Sequence, residues 1–311
     1  MPHHSRRDFL KYTATASAAA ALGGGVPAFA QDAEPSMVIA RWSGAPVPEE
    51  EVAAMAIKLT TEAIAALGGM ARFVKKGDAV WVKPNIGWDK KPEFAANTNP
   101  DVVGTLVKLC YDAGAKKVKV GDLTCNSPKA TYANSGIEAA ARAAGAEVVL
   151  VDKDRFREVT LGGKRLEKWA VYPDIVESDL VINVPVVKHH VISKITACMK
   201  NYMGVIGGNR SAWHQDIPNC LCDITAYMKP KLSVLDAIRI LTANGPTGGN
   251  LQDVKRTDTV AAGTDIVALD AFGAELLGHK SADLEFLVEA DRRGLGKMEY
   301  RLLSPKELSV A

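Results

Sequence analysis

The chain has 311 residues, with 38 Lys and Arg against 36 Asp and Glu, so its formal net charge is only +2. Such a balance excludes a general nucleic-acid or membrane-surface binder, which needs a positive excess. Five cysteines is an odd number, so in an oxidising compartment at least one is unpaired or ligating.

The amino terminus reads MPHHSRRDFLKYTATASAAAALGGGVPAFAQ. Paired Arg6 and Arg7 precede Phe9 and Leu10, a weakly apolar run follows, and Ala28-Phe29-Ala30 supplies a small-x-small cleavage pattern. The string resembles a bacterial twin-arginine export signal. Its apolar run is short and weak for a spanning helix, which needs roughly 20 apolar residues. No later stretch qualifies, so the expected organisation is a signal over 1–30 and a mature α/β domain over 31–311. The mature protein is then periplasmic or otherwise exported, with no membrane span. Removing the signal takes away Arg6, Arg7, Lys11 and Asp8 and leaves 35 basic against 35 acidic residues. Export in the folded state lets a thiol-bound cofactor be inserted beforehand, under reducing conditions.

Short apolar runs then alternate with helical stretches. Ala79 to Asn85 reads as a buried strand ending in a loop. Asn99-Pro100 reads as a helix cap followed by proline at the first helical position, opening a helix over Asp101–Ala113 that stops at Gly114. Lys117–Gly121 is a strand, Asn134 or Ser135 caps a helix over Ile137–Ala144, and Glu147–Val151 is the next strand. Asp179–Val184, closed by Pro185, and Leu232–Asp236 are further strands. Thr259–Gly263 is short and apolar, and Ile266–Leu277 reads as a helix ending at Gly278. Residues 206–218 lack periodicity and read as a long loop; the polar tail from Arg292 reads as peripheral. The predicted fold is α/β, a mixed or mostly parallel sheet with helices on both faces and a long glycine-rich loop at the strand ends.

In such sheets ligands bind beyond the carboxyl ends of the strands. Three of those ends are polar: Lys83-Pro84-Asn85, Gly121-Asp122-Leu123-Thr124-Cys125, and Lys188-His189-His190. Lys83, Asn85, Lys188, Lys200, Asn201, Asn209 and Arg210 all fall at strand ends or in glycine-bearing loops, which suits a pocket for a carboxylate or phosphate. Neither a Walker loop nor a Rossmann fingerprint is present. His189 and His190 offer a base or ligand, only one of them facing the site if the segment is extended. Asp265 and Asp270 flank a strand-to-helix turn as further catalytic candidates, although Asp265 also suits a helix cap. No G-x-S-x-G elbow or H-E-x-x-H helix occurs.

Thiols and imidazoles cluster too. Cys198, Cys220 and Cys222 lie within 25 residues of one another, with His214 between them and Cys125 upstream. Together they can supply a four-ligand shell for an iron–sulfur cluster or zinc. Cys220 and Cys222, two apart, share a face only if extended; on a helix they point roughly 200° apart. A disulfide or inert buried thiols are the other readings. Cys110 reads as core.

Lys83-Pro84-Asn85, Lys188-His189-His190, Lys200-Asn201-Tyr202-Met203-Gly204 and Gly263-Thr264-Asp265-Ile266-Val267-Ala268-Leu269-Asp270-Ala271 resemble the motifs of the DUF362 domain family, over roughly Val80 to Gly278. Gly207-Gly208-Asn209-Arg210, Trp213-His214-Gln215-Asp216 and Asn244-Gly245-Pro246-Thr247-Gly248-Gly249 resemble its exported branch. The resemblance implies an association with iron–sulfur proteins, but the ferredoxin cysteine run is absent here. Two expectations follow. One is an exported redox protein with an iron–sulfur cluster and a redox partner. The other is a periplasmic enzyme or binding protein for a small anionic ligand, with zinc or a disulfide in the same loop.

Overall fold

The computed structural model describes residues 34–311; the export signal lies outside the described residues. In chain order its elements are β1 (Met37–Trp42), α1 (Val52–Ala66), β2 (Ala79–Pro84), α2 (Pro100–Asp112), β3 (Lys117–Val120), α3 (Pro128–Asn134), α4 (Ile137–Ala143), β4 (Glu147–Val148), β5 (Arg157–Thr160), β6 (Lys168–Val171) and α5 (Pro173–Val176). The second half adds β7 (Leu180–Val184), β8 (Val186–His190), β9 (Lys194–Thr196), α6 (Cys198–Asn201), α7 (Ile217–Met228), β10 (Leu232–Leu241), β11 (Val254–Gly263), α8 (Ile266–Leu276), α9 (Glu285–Arg292) and β12 (Lys306–Val310).

The main sheet runs β12-β1-β11-β10-β7-β2-β3-β4, with β8 on β10 and β9 on β8. It is mixed and mostly parallel. The β2–β3, β2–β7, β3–β4, β7–β10, β8–β10 and β1–β12 pairs are parallel. β11 runs antiparallel to both β1 and β10, and β9 to β8. Side chains alternate across each strand, so the sheet divides two cores. On β1, Met37 and Ile39 join the core with Trp213, Phe272 and Phe286, whereas Val38 and Ala40 join the one with Leu59, Leu106 and Ile137. Helices α1, α2 and α4 supply the second core, and α6 to α9 the first. Helices thus cover both faces, which is why the central strands are apolar throughout.

The α2 cap forms as expected: Asn99 accepts from the amides of Asp101 and Val102, ahead of Pro100. Elsewhere the boundaries differ for identifiable reasons. The cap of α4 is Gly136, at φ 72°, where glycine carries no steric penalty; Ser135 only assists, accepting from Ile137 N at 3.4 Å. β4 is cut to Glu147–Val148 and β10 extends to Leu241. β11 begins at Val254, in a polar stretch that backbone pairing with β10 recruits regardless of hydropathy. Lys188-His189-His190 is strand rather than loop, because β8 resumes beyond Pro185 alongside β10. The supposed loop of 206–218 holds a 3₁₀ turn over Arg210–Gln215 and then opens α7 at Ile217-Pro218. The tail is not peripheral: β12 pairs with β1 from Val38 to Trp42 and forms an edge of the sheet.

Candidate functional site: a cationic pocket at the sheet rim

Because β2, β3 and β7 are parallel, their carboxyl ends share one rim. The chain steps outward from β2 to β3 and β4, then returns to place β7 on the other side of β2. Such a reversal leaves a crevice between the neighbouring strand ends. Helix α6 and the turn Tyr202–Val205 lie over it, and a cavity of about 250 Å³ remains.

Its floor is polar and sealed. Lys83, fully buried at the end of β2, stands 2.7 Å from Asp122 Oδ1, just beyond the end of β3. The ammonium is out of line for a hydrogen bond to that oxygen and donates to Pro84 O and Asn201 Oδ1, both at 2.9 Å. Burial lowers the proton affinity of Lys83, and the Asp122 charge opposes that effect. Asp122 Oδ2 accepts from Ile86 N at 2.7 Å. Asn201 donates to Asn183 Oδ1 at 2.8 Å and to Lys83 O at 3.2 Å, while its oxygen also accepts from Asn85 Nδ2 at 3.1 Å. Gly204 seals this floor. A Cβ there would lie 1.7 Å from Asp122 Oδ1 and 2.7 Å from Lys83 Nζ.

Above the floor are three cations that pair with no carboxylate among the described residues: Lys188, Lys200 and Arg210. Lys188 Nζ donates to Asn85 Oδ1 at 3.0 Å and to Ala96 O. Burial pushes it down to about 7. Lys200 Nζ has only Met203 Sδ at 3.1 Å and His214 Nε2 at 3.5 Å, and burial pushes it down to about 8. Arg210 donates to the carbonyls of Leu123, Thr124 and Met203, leaving its Nε–H and one Nη2–H for a ligand.

Two imidazoles complete the wall. His190 Nδ1 accepts from the amides of Ile192 and Ser193 at 3.1 and 3.2 Å, so its proton sits on Nε2. His214 Nδ1 lies 3.2 Å from Ser211 O and must donate, which leaves the Nε2 lone pair toward Lys200. The rings stack at 5.6 Å. Burial, then the Lys200 charge, pushes His190 down to about 3 and lowers His214 as well. Both are neutral at ordinary pH.

Of the residues singled out in the sequence, Asn85, Lys188, His190, Lys200, Asn201, Arg210, His214 and Cys125 meet in this cavity, and Lys83 lies beneath it. Others do not. His189 accepts from Gly245 N at 3.1 Å and anchors the loop that brings Pro246 to the rim. Asn209 is exposed ahead of the 3₁₀ turn. Asp265 caps α8, accepting from Val267 N and Ala268 N. Asp270 is fully buried and accepts from the amides of Cys198 and Met199, so it positions α6 rather than facing the cavity.

The thiols do not assemble. Cys220 and Cys222 lie on helix α7, where residues two apart diverge by roughly 200°. Cys222 Sγ points to Phe286 O at 3.8 Å, Cys220 lines a separate small cavity beside Trp169 and Trp213, and Cys198 packs against Asp270. All five cysteines are free and only Cys125 is exposed. Burial pushes Cys220 up to about 11 and Cys222 up to about 12, and raises Cys198 well above its usual range. No group of three His, Cys, Asp or Glu among the described residues converges on one point. The expected ligand set of Cys198, Cys220, Cys222, His214 and Cys125 therefore does not fit an iron–sulfur cluster or zinc, and the disulfide reading has no bonded pair.

Three site residues escaped the sequence reading: Asp122, Gly204 and Asn183. A lysine inside a buried strand needs a counter-ion, and the neighbouring Val-Gly-Asp strand end offers one. That signal was available in the sequence.

Residues 80–275 match the family described as domain of unknown function, DUF362. The chain belongs to the DUF362 family. The match takes in every element of the pocket, from β2 to the loop bearing Pro246, and leaves out β1, α9 and β12. Residues 3–23 match the twin-arginine translocation signal, which directs export. The DUF362 chain is 29% identical over 263 residues to a thylakoid-associated protein, sll1697, of Synechocystis, covering 78% of each. Two solved structures show weaker likeness. A Thermotoga maritima protein overlaps at TM-score 0.39 and 12% identity, across 66% of this chain and 54% of that one. The lactate racemase apoprotein of Thermoanaerobacterium thermosaccharolyticum overlaps at 0.43 and 10%, across 78% and 57%. This chain thus spans just over half the length of each solved relative. No helix among the described residues is long and apolar enough to cross a membrane.

Proposed function

We propose that this exported DUF362 protein binds a small organic anion in the rim pocket, either as an enzyme or as a binding protein. One observation carries the reading: Lys188, Lys200 and Arg210 face a common cavity with no carboxylate to neutralise them, because the one acid lining it, Asp122, is matched by Lys83. Desolvated cations without partners are costly, and an anionic ligand would offset that cost. A volume of about 250 Å³ suits a molecule of a few carbon atoms. The neutral imidazoles add a donor at His190 and an acceptor at His214, which suits proton transfer on the bound molecule.

The redox reading has less behind it, since its thiols occupy three separate surroundings. The anion reading is tested by thermal unfolding of the mature protein with acetate, lactate, malate, citrate or phosphate, against sodium chloride of equal ionic strength. At least one anion should raise the midpoint of the unmutated protein and lose that effect in Lys188→Met and Arg210→Ala. Equal midpoints across the panel would refute it.

A further inference from the structure

Lys200 differs from the other two lysines of the site. Lys83 is sealed under the floor against Asp122. Lys188 is held by two carbonyl oxygens, of Asn85 and Ala96. Lys200 Nζ, on a side chain more than nine-tenths buried, meets only a thioether and an imidazole nitrogen. The thioether is a weak acceptor, and the imidazole nitrogen lies at the outer limit of hydrogen-bond distance, so the amine is poorly solvated as an ammonium. Burial, and then the nearby Arg210 charge, disfavour charge on this amine. These features describe an amine that gives up its proton more readily than an exposed lysine, of the kind that attacks carbonyl carbon once deprotonated.

Resting on the anion reading above, we infer that Lys200 Nζ forms an imine with a small 2-oxo carboxylate whose carboxylate is held by Lys188 and Arg210. The Lys200 lone pair makes the new C–N bond while the C=O π pair moves to oxygen. The ammonium proton of the first adduct passes to the His214 Nε2 lone pair, 3.5 Å away, and is returned to the oxygen. Loss of that oxygen as water, carrying the two amine hydrogens, leaves C=N. No oxidant or reductant is consumed. His190, its proton fixed on Nε2, is placed to donate a hydrogen bond within the same cavity. The depressed proton affinity of Lys200 agrees with this geometry.

The test uses the mature protein with pyruvate, glyoxylate or 2-oxoglutarate, each with cyanoborohydride to reduce any imine to a stable secondary amine. Intact mass and peptide mapping locate the adduct. Thermal shift with the same acids, and with lactate as the carbonyl-free control, reads binding separately. The expected result is one adduct per chain, mapped to Lys200 in the unmutated protein, absent in Lys200→Arg and formed at least tenfold more slowly in His214→Gln. Mapping in the unmutated chain keeps the test independent of whether variants fold. Labelling of Lys188 or of scattered surface lysines overturns the proposal. Binding of the acids without any adduct also overturns it and leaves the anion reading standing. The absence of both binding and adduct with all of them overturns the proposal, and equal midpoints across the wider anion panel would overturn the anion reading as well.

Discussion

Lys83 and Asp122 form an ion pair across the ends of adjacent parallel strands, 2.7 Å apart, with both side chains closed off from water. The pair underlies the pocket, and each partner leaves the other uncompensated if removed. Asp122→Ala should therefore cost about 3–5 kcal/mol, as for other broken buried pairs. Replacing both, with Lys83→Met and Asp122→Leu, should cost less than the single change. Urea unfolding of the three proteins checks this; a double variant less stable than Asp122→Ala would show that the pair is not the reason.

Gly204 supports the same floor from above. With its added Cβ at 1.7 Å from Asp122 Oδ1, Gly204→Ala must displace the carboxylate or the turn. Overpacking of this kind costs about 1–3 kcal/mol. Unfolding midpoints should fall accordingly, and anion binding should weaken with them. A variant as stable as the parent would mean the turn relaxes freely.

Burial of Lys200 makes stability depend on pH. In the unfolded chain the amine keeps its proton up to its ordinary 10.5, in the folded chain only to about 8. Between those values the unfolded state binds more protons, so this group's contribution to stability rises with pH. Below about 8 both states are protonated and folding carries the full penalty of the buried charge. Lys200→Met should thus be more stable than the parent at neutral pH, and the difference should shrink as pH rises toward 10.5. Unfolding curves at a series of pH values read this directly, and a pH-independent difference would contradict it.

The thiols should matter only to packing. The protein purified anaerobically should be colourless, without iron or acid-labile sulfide. Cys220→Ala and Cys222→Ala should each destabilise by about 1 kcal/mol, as typical core truncations do, while anion affinity stays unchanged. A visible absorption band lost in those variants would restore the iron–sulfur reading.

Much of this site was legible in the sequence because cations at strand ends and a parallel sheet point to the same rim. Lys188, Lys200 and Arg210 were found that way, as was the Asn99-Pro100 helix start, whose cap is purely local. The failures are non-local. Cys198, Cys220 and Cys222 are neighbours in sequence, but α7 turns two of them to different packing partners, which spacing alone could not distinguish from an extended segment. Asp265 and Asp270 flank a strand-to-helix turn that suggests catalysis, yet backbone amides claim both carboxylates. β12 looked like a tail because its polar composition hides the pairing that β1 imposes on it.

The central claim is that unpaired cations make this pocket an anion site. Isothermal titration of acetate, lactate, malate, citrate and phosphate, each into the mature protein at neutral pH and in two buffers of different ionisation enthalpy, tests it most directly. Lys188, pushed down to about 7, is only partly protonated at neutral pH and regains its proton when an anion settles beside it. The account predicts saturable binding of at least one anion with net proton uptake, weakened at least tenfold in Arg210→Ala. The absence of binding by all of them, or binding without proton uptake and unchanged in Arg210→Ala, would contradict it.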